Sequence, residues 1–192
     1  MTTAGRPRTS SKATIADAAA ELFIENTYSG TTIDQITQRA GVSRATFFNY
    51  FSAKTDLLWI DVDAALAELD ATCDDDLRGA VLAVASGFDG SRVPLALSQS
   101  EVMGSSDEIV QSGLVRVAAL ARVFGRTATR TQAYVLAGAV SAGWLDWVRA
   151  GIGRRPLADY LAESFTQSLS QPLSPSLTQS LSPSLTQELS SS

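Results

Sequence analysis

Apolar residues recur three or four positions apart along the first part of the chain, which is the spacing of one face of an α-helix. Between residues 11 and 26 the apolar face consists of Ile15, Ala18, Ala19, Leu22 and Phe23. We therefore expect a first amphipathic helix that ends before Tyr28 and serves as a scaffold for the residues that follow.

The next segment, TTIDQITQRAGVSRATFFNYF at residues 31–51, predicts two short helices joined by a tight turn. Thr31 and Thr32 are hydroxyl-bearing N-caps, and Asp34 follows Thr31 at the three-residue spacing of a capping box. Gly41 is expected to end the first short helix, because glycine adopts a positive φ at little cost.

The second short helix, which begins after Ser43, has an inner and an outer face. Phe47 and Phe51 are four residues apart and are expected to point inward. The outer face carries polar residues, namely Arg44, Thr46, Asn49 and Tyr50. A helix, a glycine turn and a second helix with a hydrogen-bonding outer face have the geometry of a helix-turn-helix, whose second helix enters the major groove of DNA.

Helical periodicity continues beyond this motif. Ser52 is expected to cap one long helix that ends near Cys73. Further helices are expected over residues 77–88 and 95–103, and a longer one as far as Phe124.

Residues 129–150 predict a helix with two apolar faces. One face suits a domain core and carries Ala133, Leu136, Ala137, Val140, Trp144 and Trp147. The other face lets a second helix approach closely and carries Tyr134, Gly138, Ser141, Ala142 and Leu145. The next helix, opened by Pro156, has the apolar stripe Leu157, Leu161 and Phe165. We interpret the second face and this stripe as a four-helix dimer interface; the alternative is one fully buried central helix in a monomer.

The two ends of the chain lack this periodicity. Residues 1–10 include Arg6 and Arg8 and are interpreted as a flexible basic arm that reaches DNA phosphates or a minor groove, or alternatively as a solvated terminus. Residues 169–192 repeat a short unit rich in serine, leucine, glutamine and proline, which favours a disordered low-complexity tail.

The net charge of −5 is opposite in sign to that of a basic DNA-binding chain, so the distribution of charge matters. Residues 1–56 contain six basic and five acidic residues, whereas residues 74–76 form an acidic run in the middle of the chain. DNA binding requires positive charge where the protein faces phosphate, so acidity elsewhere does not exclude it. We interpret the acidic run as a solvated loop or a helix cap, because three consecutive carboxylates cannot surround one cation.

The composition excludes several classes of protein. The chain has no histidine, which excludes a histidine-based catalytic triad and a zinc site, and its single Cys73 excludes an internal disulfide. We find no glycine-rich phosphate loop, no paired carboxylates at catalytic spacing, and no apolar run near the ~20 residues of a membrane span. We therefore expect no catalytic activity, no cofactor and no metal. Because no secretory pattern precedes the first helix, we expect a cytoplasmic protein.

The order AGVSRATFFNYFSAKTDLL, within a match of about residues 11–60, closely resembles the DNA-binding segment of the TetR family of bacterial repressors. Phe48 stands where that family usually has tyrosine, and Tyr50 stands where it often has histidine. The resemblance implies an all-α protein with an N-terminal three-helix helix-turn-helix domain at residues 11–57. A helical ligand-binding and dimerisation domain would follow at residues 58–168.

The helix-turn-helix residues predicted to contact double-stranded DNA are Thr32, Ser43, Arg44, Ala45, Thr46, Asn49, Tyr50 and Lys54. Arg44 and Thr46 are candidates for base edges, since arginine suits guanine and threonine can meet a thymine methyl group. The candidates for phosphate contacts are Thr32, Asn49, Tyr50 and Lys54. A homodimer would place two such helices about one DNA turn apart or more and would prefer a palindrome.

The second half supplies large apolar residues that are predicted to line a ligand pocket: Trp59, Phe88, Met103, Phe124, Trp144 and Trp147. Such a lining suits an apolar or aromatic effector, and the alternative is that these residues fill the core. The resemblance implies a repressor that a small molecule releases from its palindromic operator. The alternative function is a helical small-molecule-binding protein without sequence-specific DNA binding. The stretch TFFNYFSAK is also similar to regulators tied to mycofactocin or acyl-CoA metabolism.

Overall fold

The computed structural model describes residues 11–88 and 93–170, with side chains as far as Ser168. These residues form a 3₁₀ helix at Lys54–Leu58 and the α-helices α1 (Ser11–Gly30), α2 (Ile33–Ala40), α3 (Arg44–Tyr50), α4 (Ile60–Thr72), α5 (Leu77–Ala85), α6 (Leu95–Ser98), α7 (Ser106–Phe124), α8 (Arg130–Arg149) and α9 (Leu157–Ser170). No strand occurs among them, which confirms the all-α prediction. The expected arm and most of the expected tail lie outside the described residues.

The described helices bury two apolar clusters. The first lies in the N-terminal part and includes Phe23, Ile36 and Phe47. The second joins α4, α5, α7, α8 and α9 and includes Phe124 and Trp147. Within the described ranges, no helix is long and apolar enough to cross a membrane.

An interruption in α1 lies close to the end that the sequence pattern predicts. Thr27 has φ 63° and ψ 164°, a backbone conformation that is strained for a β-branched residue. Just beyond it, the backbone N–H of Tyr28 donates to the carbonyl oxygen of Met103 at 2.6 Å. The strained residue therefore lies where the helix-turn-helix region is anchored to the second half of the chain.

The capping box of α2 lies one residue later than predicted. The Thr32 hydroxyl accepts from the backbone N–H of Gln35 at 3.2 Å, and the Gln35 side chain accepts from the N–H of Thr32 at 2.8 Å. Thr31 is buried, and its hydroxyl donates to the carbonyl oxygen of Thr27 at 2.8 Å. Thr31 therefore ties α2 to α1 and is not the cap. Gly41 ends α2 with φ 67°, as predicted.

The prediction of one long helix from Ser52 is wrong. A 3₁₀ helix at Lys54–Leu58 comes first, and α4 begins only at Ile60, after a non-helical Trp59. Three consecutive residues, 57–59, are buried in the first apolar cluster. Successive side chains of an α-helix point in different directions and cannot all enter one core, so the backbone leaves the α-helical path here.

Two helix starts in the second half are capped by side chains. The Asp76 carboxylate accepts from the backbone N–H of Gly79 at 2.9 Å, so the end of the acidic run caps α5 as one interpretation predicted. Thr129 and Gln132 form a capping box at the start of α8, where the Gln132 side chain accepts from the N–H of Thr129 at 3.1 Å. These caps set the directions of helices that surround the second apolar cluster.

α9 packs against α8 within one protomer. A Cβ atom at Gly143 of α8 would lie 2.9 Å from the Leu161 side chain, so glycine permits this close approach. Leu157, Leu161 and Phe165 are buried in the second apolar cluster. The prediction that these three residues contribute to a dimer interface is therefore wrong, because they have almost no surface left for a partner.

Candidate DNA-binding surface and ligand cavity

α3 is held by an aromatic inner face and displays its polar residues. Phe47 has no exposed surface, and its ring centroid lies 5.5 Å from that of Phe51. The Ser43 hydroxyl caps α3 by accepting from the N–H of Thr46 at 3.0 Å, and Thr46 is half-buried. The remaining predicted contact residues of this helix are exposed: Arg44, Ala45, Asn49 and Tyr50.

Arg44, the predicted base-reading residue, is ion-paired in the free protein. Its guanidinium donates to the Asp34 carboxylate of α2 and lies 5.4 Å from the ring centroid of Phe48. Both members of the ion pair are more than half exposed, so solvent screens their attraction. The pair therefore orients Arg44 on the outer face, and the guanidinium can exchange Asp34 for a guanine at small cost.

Lys54, a predicted phosphate contact, is engaged inside the protein. Its ammonium donates to the carbonyl oxygens of Tyr28 at 2.7 Å and Thr31 at 2.8 Å, and lies 4.1 Å from the Tyr28 ring centroid. Burial lowers the pKa of Lys54, and the Glu108 carboxylate opposes this shift. Lys54 therefore closes the junction between α1 and α2 with two of its three ammonium donors, and its contact with a phosphate remains a prediction.

Two further basic residues lie in the helix-turn-helix region. Arg39 donates to Glu21 at 3.1 Å and to Glu25 at 2.8 Å, which fastens α2 to α1, and this hydrogen bond lowers the pKa of Glu25. Lys12 is exposed, and its ammonium lies 6.0 Å from the ring centroid of Phe51. The sequence reasoning did not single out Lys12, although a basic residue at the start of the scaffold helix was the available signal.

Three polar contacts, spaced one helical turn apart, join residues 55–63, at the end of the helix-turn-helix domain and the start of α4, to α7. They are Thr55–Glu108 at 3.2 Å, Trp59–Ser112 at 2.8 Å and Asp63–Arg116 at 2.8 Å, and we call them the polar ladder. The members of each pair are 53 positions apart, so residues 55–63 run parallel to α7. The Thr55 hydroxyl also lies 3.2 Å from the Tyr28 hydroxyl, which continues the ladder into the first apolar cluster.

A cavity of about 330 Å³ lies beside the polar ladder, mainly among α4, α5, α7, α8 and α9. Trp59 and Arg116 belong both to the ladder and to the cavity wall. The rest of the wall is mainly apolar and includes Val62, Ala65, Leu66, Leu69, Val117, Leu120, Val140 and Trp144. The cavity reaches the surface between α7 and α8, where the lining residues Leu114 and Leu145 are exposed. This volume and lining suit a small apolar molecule.

Two of the residues predicted for the pocket, Trp59 and Trp144, line this cavity. The other four, Phe88, Met103, Phe124 and Trp147, are buried in the two apolar clusters but do not line the cavity. The prediction also missed the aliphatic wall and Arg116. Helical spacing marks a residue as inward-facing, but it does not distinguish a side chain that meets the cavity from one that meets the core.

The outer face of α8 lies open in the protomer. Tyr134, Gly138, Ala142 and Leu145 are exposed, which contradicts the alternative of a fully buried central helix. A Cβ atom at Gly138 would have no neighbour within 4 Å. Ser141 is half-buried and donates to the carbonyl oxygen of Ala137 at 2.8 Å. A partner on this face remains a prediction.

Residues 15–58 match the family model described as "Bacterial regulatory proteins, tetR family". The matched range covers most of α1, all of α2 and α3, and the 3₁₀ helix. It therefore coincides with the part of the chain that carries the helix-turn-helix.

Three known proteins are similar over most of the chain. MftR of Mycobacterium tuberculosis, named as a transcriptional regulator of mycofactocin biosynthesis, is 26% identical over 166 residues, which cover 76% of this chain and 83% of MftR. The structure of Thermus thermophilus FadR, a TetR-family repressor in complex with lauroyl-CoA, has a TM-score of 0.50 and 21% identity, covering 85% of this chain and 97% of that chain. NalD of Pseudomonas aeruginosa, the secondary repressor of the MexAB-OprM multidrug efflux pump, has a TM-score of 0.48 and 17% identity, covering 82% and 94%. The likeness to FadR shows the fold.

Proposed function

We propose that this chain is a transcriptional regulator of the TetR family and not an enzyme, and that it is a homodimeric, cytoplasmic repressor released from a palindromic operator by a small apolar effector. In this proposal residues 11–57 bind DNA, and residues 58–168 bind the effector and dimerise. The observation that carries it is the polar ladder, because this ladder joins the helix-turn-helix region directly to the wall of an apolar cavity.

We propose that α3 reads the operator through Arg44, supported by Thr46. The exposed neighbours Asn49 and Tyr50 would hydrogen-bond phosphates, while Lys12 adds positive charge beside α3. Because the Thr32 hydroxyl donates to the Gln35 side chain and accepts from the Gln35 N–H in the capping box, its proposed phosphate contact is made by backbone N–H groups at the N-terminus of α2. The proposed roles follow from exposure and from the chemistry of each side chain.

The DNA proposal is tested by selecting bound sequences from genomic fragments and measuring affinity at several salt concentrations. Arg44→Ala should relax the preference at one base position and weaken operator binding by about 1–3 kcal/mol. Arg130→Ala, which removes an exposed arginine at the start of α8, is the control and should leave the base preference unchanged. If the parent gives no sequence-selective shift, the alternative of a ligand-binding protein without operator recognition is correct.

We propose that the open face of α8 meets its counterpart in a second protomer. Gly138 and Ala142 are exposed and small, which permits two helices to approach closely, while Tyr134 and Leu145 add apolar area on the same face. Gly138→Trp should therefore convert the dimer to a monomer and abolish operator binding, whereas Gly138→Ala should remain a dimer. Sedimentation of the parent as a monomer at micromolar concentration would contradict this part of the proposal.

We propose that a guest in the cavity acts on DNA binding through the polar ladder. Trp59 and Arg116 make hydrogen bonds of the polar ladder and also line the cavity. A bound molecule that displaces them would therefore also displace residues 55–63. At the far end, Thr55 contacts the Tyr28 hydroxyl, next to the anchored end of α1. A shift along this path would change the orientation of α2 and α3 and so the spacing of the two recognition helices. A thermal-shift screen of lipids, acyl-CoAs and aromatic compounds identifies guests, which are then tested for operator release.

A further inference from the structure

The helix α3 exposes one large side chain that has no hydrogen-bonding group. Phe48 is 46% exposed, whereas the other large exposed side chains of α3, Arg44, Asn49 and Tyr50, can all form hydrogen bonds. Single exposed apolar residues are common on protein surfaces, so exposure alone assigns no role to Phe48. Its neighbours on α3 are what distinguish it.

The Phe48 ring is held by two contacts within α3. Arg44 lies one helical turn earlier, and its guanidinium is 5.4 Å from the centroid of the Phe48 ring. The buried Phe47 ring lies edge-on to it, with the centroids 5.3 Å apart and the ring planes at 82°. Because the Asp34 carboxylate also holds the guanidinium, α3 presents a cation and an apolar ring side by side.

The major groove of DNA offers a group that suits such a ring. A phenyl group cannot hydrogen-bond a phosphate or a base edge, but it can make an apolar contact with the C5-methyl group of thymine. Successive base pairs are about 3.4 Å apart, so a ring 5.4 Å from the Arg44 guanidinium would lie about one or two base pairs from the guanine that Arg44 is proposed to read.

Thr46, the residue that the sequence suggested for a thymine methyl group, lies elsewhere on α3. It is half-buried, and its hydroxyl lies 2.8 Å from the Ser43 hydroxyl. Two residues of an α-helix are separated by about 160° around the axis, so Thr46 and Phe48 would face different bases. The two candidate contacts can therefore be tested separately.

We propose that Phe48 is a specificity-determining residue that contacts the C5-methyl group of a thymine, one or two base pairs from the guanine read by Arg44. The inference rests on the proposed function, because it adds a second base contact to the same helix. Contact with the methyl group removes apolar surface of both partners from water, which favours thymine at that position. Cytosine and uracil lack the methyl group and would not provide this contact.

The test uses the tightest-binding duplex selected from genomic fragments, in which each thymine is replaced in turn, in both half-sites, by deoxyuridine. This replacement removes the methyl group and keeps every hydrogen-bonding group of the base. The guanine read by Arg44 is located by the base position at which Arg44→Ala relaxes the preference. At a thymine one or two base pairs from it, the parent should lose affinity about fourfold for each substituted half-site, the value of burying one methyl group.

Variants at Phe48 assign the contact to the ring. Phe48→Ala should bind the thymine and deoxyuridine duplexes equally, whereas Phe48→Tyr, which keeps the ring, should retain the thymine preference. Ile24→Ala is the matched control, because Ile24 is 48% exposed on α1, and it should leave the ratio of the two affinities unchanged.

The deoxyuridine scan of the parent can overturn the proposal without any variant, if no thymine within two base pairs of that guanine depends on its methyl group. A thymine preference that persists in Phe48→Ala would also overturn it, and loss of that preference in Thr46→Ser would assign the contact to Thr46. Both results would keep the proposed function, because the parent still binds a selected sequence. A parent without sequence-selective binding would instead refute the proposed function together with this inference.

Discussion

The two apolar clusters of this protein are built from similar residues but packed for different tasks. The first encloses Phe47, Ile36 and Ile15 with no exposed surface on any of them, directly beneath α2 and α3. The second surrounds a cavity of about 330 Å³, although it contains the fully buried Phe124 and Trp147. One cluster is closed and the other is hollow.

This difference assigns rigidity and response to different halves. A closed core holds α3 in one orientation, and this is what positioning side chains against base edges requires. A cavity leaves its lining atoms without partners on one side, so the hollow cluster forgoes contact energy that a guest can restore. The polar ladder connects the two because Trp59 belongs to both, being buried in the first cluster and lining the cavity of the second.

The largest effect is expected from truncating the closed core. Phe47→Ala should lower the free energy of unfolding by about 3–5 kcal/mol, because the surrounding side chains cannot collapse into the space. Leu66→Ala, at a half-buried position in the cavity wall, should cost only about 1–2 kcal/mol, since part of the leucine already faces empty space. Denaturant unfolding of both variants measures the difference. Equal losses would remove the contrast between the two clusters.

A smaller effect is expected at the junction above the closed core. Lys54→Met keeps the unbranched stem and removes the ammonium that donates to the carbonyl oxygens of Tyr28 and Thr31. We expect a loss of about 2 kcal/mol in the free energy of unfolding, typical of hydrogen bonds made by a charged group. Lys12→Met, at an exposed position, is the matched control and should change stability little. Unchanged stability in Lys54→Met with uniformly weaker DNA binding would favour the phosphate contact over the structural role.

The smallest effect on stability is expected from filling the hollow cluster. Ala65 lies half-buried in the cavity wall, so a phenyl group in Ala65→Phe can occupy existing space. The free energy of unfolding should change by less than about 1 kcal/mol, because gained contacts offset the lower helix propensity. Binding of cavity ligands should weaken at least tenfold, as measured by calorimetry. A strongly destabilised Ala65→Phe would indicate a cavity smaller or more rigid than the structure shows.

The sequence predicts the closed cluster far better than the hollow one. The spacing of Phe47 and Phe51, the cap at Ser43 and the glycine at Gly41 are local features, and each lies in the structure where its pattern placed it. The position of the break between the 3₁₀ helix and α4 was not predictable in this way. It results from the simultaneous burial of residues 57–59, which depends on the tertiary contacts of α7 and not on local propensity.

The cavity illustrates the same limit. Trp144 and Trp147 lie three positions apart on α8, and helical spacing predicts that both face inward. Of the two, Trp144 lines the cavity and Trp147 does not. A cavity forms where the side chains of several helices leave space between them. The apolar pattern of a single helix therefore cannot predict it. The polar ladder could not be predicted from the sequence either. Thr55, Ser112 and Asp63 find their hydrogen-bond partners only because α7 lies parallel to residues 55–63.

The central claim is that a ligand in the cavity of the second cluster changes the DNA affinity of the helix-turn-helix held by the first cluster. It is tested most directly by measuring the linkage between ligand binding and operator binding. Operator affinity is measured with and without a saturating cavity ligand, and ligand affinity with and without operator. The account predicts that the two affinities fall by the same factor in the parent, as thermodynamic linkage requires, and that Ala65→Phe binds operator normally but no longer responds to the ligand. Operator affinity that stays unchanged in the parent at saturating ligand would contradict the account.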